Sequence, residues 1–330
     1  MAALQAEGPF STWTPGFGVR LFGLDLNFSS AEEELLPLGK TELLAAFGGG
    51  YLSRGYYRLS RTERTDDPRG KLSCVDADMW LRGTQFLDKD SHLRAALFLR
   101  AQSLSNLDSG SAEPGLLEAS ALPEARGSFE TGAGAAFGYT DMERATASGQ
   151  EIGWKADLSY EWSFDLYPAG PERAMVNEVA LEFSGFLPLV DTDSVSLSLC
   201  EHLLGSALLG LPPEHRLSSI GGNRYLPYAA LGGLVRGVAD NYGDGKFKVG
   251  DNLELRLEFP AVFKKAVIPG VTIFADAGYA GYLGDDPGVF RTSAGAFATL
   301  RALGFVLGGG VVYEFTQGDF APHIALGTQF

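Results

Sequence analysis

The chain has 330 residues, a formal net charge of −15 and an isoelectric point near 4.7. Such acidity excludes nucleic acid as an expected partner, because polyanions select basic surfaces. With 43 glycines and 12% aromatic residues, but no apolar run near the roughly 18 residues that a membrane helix needs, the composition excludes helical spans and points to an all-β chain.

Residues 1–13 read as an N-terminal tail or the remnant of a signal peptide. They lack a charged and an apolar region, but Leu4-Gln5-Ala6 resembles the small-residue end of a cleavage site. The rest, 14–330, reads as one strand-built domain. Residues 17–28 look like a single long strand with a register shift near Leu21. Residues 42–59 are apolar, aromatic and Gly-rich, and form one strand or two. In 72–86, Val75, Ala77, Met79 and Leu81 share a face opposite Asp76, Asp78 and Arg82. In 92–102, Leu93, Ala95, Leu97 and Leu99 oppose Arg94 and Arg100. Residues 103–125 are a long loop of Ser, Gly, Pro and Glu that allows a short helix around 116–120. Strands follow at 129–139, 154–166, 174–187 and 195–204. The segment 154–166 alternates most strictly, with Asp157, Glu161 and Asp165 between Trp154, Leu158, Tyr160, Trp162 and Phe164. After a long loop come strands at 252–259, 271–280, 291–301, 304–315 and 323–330, the last ending on Phe330.

These thirteen candidates include many that exceed the 5–6 residues of an average soluble strand. They reach the roughly 9–11 residues that cross a bilayer at the usual tilt. A soluble sandwich with its apolar faces inward also alternates, so alternation alone leaves both architectures open. Faces such as Asp157/Glu161/Asp165 and Glu254/Arg256/Glu258 are too charged for a packed core. Strand length, glycine content and the terminal Phe330 favour a closed antiparallel transmembrane β-barrel with a long loop folded into the lumen. Single-chain bacterial barrels have even strand numbers. Fourteen is therefore the expected count within a range of twelve to sixteen, with the miscount expected at 42–59 or at a strand hidden in 209–233.

Two motifs carry the most information. A loop holds Leu231-Gly-Gly-Leu-Val-Arg-Gly-Val238, with one arginine between glycines. A strand at 271–279 holds one aspartate in mid-run, in Phe274-Ala-Asp-Ala-Gly278. Over roughly 220–330 this arrangement resembles the BamA-like bacterial surface-antigen barrels, which are outer-membrane assembly and translocation proteins. Val235, Arg236 and Gly237 match the family's lumen-loop motif, with Val238 in place of its aromatic residue. Phe274, Asp276 and Gly278 match its strand motif in full. The resemblance implies that Arg236 docks near Asp276 inside the barrel, that Phe330 belongs to a C-terminal assembly signal, and that the chain resides in the bacterial outer membrane. Family members usually carry periplasmic POTRA modules and sixteen strands. Here strands begin near Phe17 and are fewer, so the chain reads as a POTRA-less relative.

Other chemistry is sparse. Histidines 92, 202, 215 and 323 lack metal-ligand spacing. Asp240-Asn-Tyr-Gly-Asp-Gly looks like a calcium loop, but Tyr242 and Asp251 stand where better ligands belong, and it reads as an acidic turn. Ser293 lacks the first glycine of a nucleophile elbow. No enzyme activity, metal or cofactor is expected. Cys74 and Cys200 would allow one disulfide, although each lies in a strand-like run. The functional readings are protein insertion or export, a passive channel for small solutes, and a surface adhesin or antigen. The expected partners are outer-membrane lipid, with client outer-membrane proteins or a separate periplasmic protein as further candidates.

Overall fold

The computed structural model describes residues 14–20, 23–36, 39–56, 70–88, 90, 92–108, 128–144, 151–166, 175–210, 212, 216, 219–221, 234–238, 242, 245–263, 266–282, 288–302 and 305–328. They form fourteen strands in a single sheet ordered along the chain: β1 Thr14–Arg20, β2 Gly23–Leu36, β3 Gly39–Tyr56, β4 Gly70–Phe86, β5 Leu93–Asp108, β6 Ser128–Arg144, β7 Glu151–Asp165, β8 Met175–Asp191, β9 Ser196–Gly210, β10 Phe247–Glu258, β11 Val267–Gly281, β12 Val289–Ala302, β13 Phe305–Glu314 and β14 Asp319–Thr328. No helix occurs among the described residues. The tail 1–13, the short helix expected near 116–120 and Phe330 lie outside them.

The first predicted strand is in fact two. β1 and β2 pair antiparallel, with Arg20 opposite Gly23 and Phe17 opposite Leu26, so the chain reverses where a register shift was expected. A reversal and a one-residue slip both interrupt the period of two at the same place, and the sequence pattern does not separate them. By contrast, the described part of 42–59 does not split: β3 runs unbroken to Tyr56. Between Gly210 and Phe247 the described residues contain no further strand.

The chain divides into two compact units. Within the described residues, one takes everything up to Tyr139 together with Asp157–Ala180 and Leu208–Leu217. The other takes Thr140–Ala156, Leu181–Ala207 and the rest from Ser218 on. In the first unit, β2 to β6 pair in unbroken antiparallel ladders apart from small shifts near Glu32 and Ser73. In the second, β9 to β14 do the same without a shift.

Burial is inverted relative to a water-soluble sheet. Along β7, Trp154, Leu158, Tyr160 and Trp162 are exposed, while Glu161, Ser163 and Asp165 are buried. Phe164 keeps the parity of the apolar set but is half-buried. Leu97 on β5 is 72% exposed while Arg100, three residues on, is 9% exposed. On β11, Ile273 is exposed and Phe274 and Asp276 are buried. The period of two fixes one set on each face, and here the apolar set faces outward. We expect the corresponding labelling pattern in lipid vesicles. In a background lacking Cys74 and Cys200, a membrane-impermeant maleimide should react with cysteine at Asp157 and leave cysteine at Leu158 untouched. The reverse order would remove the membrane assignment of this face.

Candidate functional site

The site lies within the second unit and begins with register. β10 and β11 align Asn252 with Asp276, and β11 and β12 align Asp276 with Ser293. Glu254 stands opposite Phe274. All five side chains fall on the buried parity of their strands. The connection from β9 to β10 delivers residues 234–238 onto them. That segment is braced by its own loop: the Val235 amide donates to the Ile220 carbonyl (3.1 Å), and the Ile220 amide to the Tyr242 carbonyl (3.3 Å). Gly237 has φ = 86°, a conformation that favours glycine. A Cβ there would also lie 2.9 Å from Val312 Cγ1.

Arg236 is 1% exposed. Its Nε donates to Asp276 Oδ2 (2.8 Å), its Nη2 to Asp276 Oδ1, and its backbone amide to Oδ2 (3.0 Å). The planar fork thus engages both carboxylate oxygens, the geometry that distinguishes arginine from lysine. Asp276 also accepts from Asn252 Nδ2 (2.9 Å) and Ser293 Oγ (3.2 Å). Arg236 Nη1 donates to Glu254 Oε1 (2.6 Å), whose other oxygen accepts from Arg256 Nε (2.7 Å). Burial alone would lower the Arg236 guanidinium pKa, but Glu254 and Asp276 outweigh it and hold it above its ordinary value. The guanidinium carbon sits 3.6 Å from the Phe274 ring centroid, a cation–π contact. Phe274, Phe297 and Val312 form the apolar floor beneath it.

The structure brings together Val235, Arg236, Gly237, Phe274, Asp276 and Gly278, and changes the role of the last. By its place in the strand motif, Gly278 would be taken as space for the guanidinium. A Cβ there would instead lie 2.5 Å from Val235 Cγ2 and 3.2 Å from Ile220 Cγ2, so the glycine admits two apolar loop residues. Gly250 does the same for Leu234, whose Cδ1 would lie 2.3 Å from an added Cβ. A second tie comes from Tyr242: Arg291 lies over its ring, 4.6 Å from the centroid, and Arg291 Nη2 donates to its hydroxyl. Asp251 lies within β10, opposite Ala277. Cys200 is a buried free thiol, so the disulfide that two cysteines would allow is not formed.

Sequence reasoning missed Glu254 as a partner of Arg236 and missed a second charged cluster in the first unit. There Arg216, from the β9–β10 connection, donates through Nη2 to Glu178 Oε2 (2.9 Å) and Glu161 Oε1 (3.2 Å), and its Nε lies 3.7 Å from Glu130. Arg100 of β5 shares Glu161 (2.8 Å) and Glu130 (3.2 Å). The strand residues all sit on the polar parity of their strands, which was a legible signal; Arg216 sits in a loop without periodicity and gave none.

No family model and no curated protein matches the sequence. In structure the chain is similar to BamA from Haemophilus ducreyi lacking POTRA domains 1–3, with a TM-score of 0.56 and 14% identity over 96% of this chain and 63% of that one. It is also similar to CdiB from Acinetobacter baumannii (0.50, 12%, 96% and 52%) and CdiB from Escherichia coli (0.53, 13%, 92% and 55%). The chain spans between half and two thirds of the length of these proteins and shares their fold.

Proposed function

We propose that this chain is a closed outer-membrane β-barrel of the BamA-like type, that the β9–β10 connection folds into its lumen, and that it acts in the insertion or export of proteins. The observation that carries the proposal is the docking of Val235, Arg236 and Gly237 on Phe274, Asp276 and Gly278 in a chain with the fold of BamA and CdiB. Two further features support it. The apolar faces point outward, as lipid requires, and the charged faces inward. Backbone groups facing hydrocarbon must all be paired, which favours a sheet that closes on itself. The connections after β3, β5 and β9 are the longest, and those after β8 and β12 are short. Long loops alternating with short turns are the pattern of barrels with their short turns in the periplasm.

In this reading the latched loop keeps the lumen closed and rigid, while the seam between the first and last strands opens for a client. The chain's partners are outer-membrane lipid and client proteins, reached directly or through a separate periplasmic protein. It performs no bond-making chemistry and uses no cofactor.

The test is reconstitution. Vesicles carrying the purified protein should fold a urea-unfolded outer-membrane barrel about tenfold faster than empty vesicles, and should conduct ions poorly. A steady large conductance with no acceleration would replace the proposal with a passive channel. Neither activity would leave surface adhesion as the reading to pursue.

A further inference from the structure

Among the described residues the β9–β10 connection supplies two arginines that engage different carboxylates. Arg236 engages Asp276 and Glu254. Arg216 engages Glu161 and Glu178, with Glu130 alongside. We infer that Arg216 is a second positioning residue of this loop, which fastens its stem independently of the tip held by Arg236.

The cluster around Arg216 is built for that guanidinium. Glu130, Glu161 and Glu178 come from three successive strands, β6, β7 and β8, and converge on one side chain. The Arg216 and Glu161 side chains are each 10% exposed, and that of Glu130 is 2% exposed. Without Arg216, Glu130 and Glu161 would lose one of the two guanidiniums beside them, the other being Arg100, and buried carboxylates without enough positive charge are strongly disfavoured. Burial by itself would lower the Arg216 pKa, but Glu178, Glu161 and Glu130 outweigh it and raise it. Gly132 keeps the space open: a Cβ there would lie 3.0 Å from Glu161 Oε1. Releasing the tip therefore leaves Arg216 in place. The inference stands on side-chain geometry and holds whether or not the chain handles client proteins.

Hydrogen–deuterium exchange of the purified protein in detergent micelles tests it. In Arg216→Ala, peptides spanning residue 216 should exchange about tenfold faster or more, while the Ile220, Val235 and Arg236 amides keep their wild-type rates. Arg236→Ala should give the mirror image, and the double variant the sum of the two, as expected for sites that engage different carboxylates. Glu178→Gln, which removes one acceptor and keeps the fold's other charges, should loosen the stem more mildly and serves if Arg216→Ala does not fold. General destabilisation would accelerate both regions together. If either stem variant frees the 220 and 235 amides along with the stem, or leaves the peptides around 216 unchanged, the independent anchor is refuted.

Discussion

Arg236→Ala should lower the unfolding free energy in detergent by about 3–5 kcal/mol, the range for removing one member of a buried ion network. The reason lies in what stays behind. Asp276 would lose two of its five donors, the guanidinium Nε and Nη2, and keep the backbone amide of residue 236, Asn252 Nδ2 and Ser293 Oγ, at 3% exposure. Glu254 would retain Arg256, so the larger share of the cost falls on Asp276. The Phe274 ring would also lose the cation stacked on it. Arg236→Lys should behave almost like the alanine variant. One ammonium reaches one carboxylate oxygen at a time and does not fill the planar slot between Asp276, Glu254 and the ring. Alongside the loss of stability, the 234–238 segment should lose amide protection and ion conductance should rise. A lysine variant within about 1 kcal/mol of wild type would show that charge alone holds the loop, as in an exposed pair.

This latch was legible in the sequence for a physical reason. An arginine flanked by glycines and an aspartate amid Phe, Ala and Gly are each expensive to bury alone, and pairing resolves both. The long strands were legible too, because a period of two over ten or more residues has no other regular reading. What escaped was everything that depends on which strand stands next to which. Glu254 reads as one more polar-face residue until β10 is laid beside β11. Gly278 looks like space for a guanidinium until the loop's path shows Val235 and Ile220 arriving there. Arg216 belongs to a stretch with no periodicity, and its three glutamates are scattered over three strands. The β1–β2 reversal was hidden because Leu21 and Phe22, two bulky apolar residues, stand where a turn would normally show polar or small ones.

Leu158→Arg should destabilise the protein by about 2–4 kcal/mol when it is folded into lipid vesicles, the cost of an arginine on the lipid face near the bilayer midplane. Leu158 is the central residue of β7 and is 50% exposed. If water covered that face, arginine there would be an ordinary surface substitution, within about 0.5 kcal/mol of neutral. Leu209 supplies the control. It has the same 50% exposure but sits one residue from the end of β9, where a membrane-spanning strand meets the interface. There Leu209→Arg should cost only about 0–1 kcal/mol, because the side chain reaches headgroups and water. Both substitutions place the same charge on an equally exposed leucine of a strand, so local packing and β-propensity contribute similarly and the difference between them reports depth. A large penalty at 158 with a small one at 209 fixes the outward apolar face in a bilayer, independently of any family likeness. Two small penalties would mean that water covers this face, and the exposed Trp154, Tyr160 and Trp162 beside it would then have to be explained as a protein-binding surface.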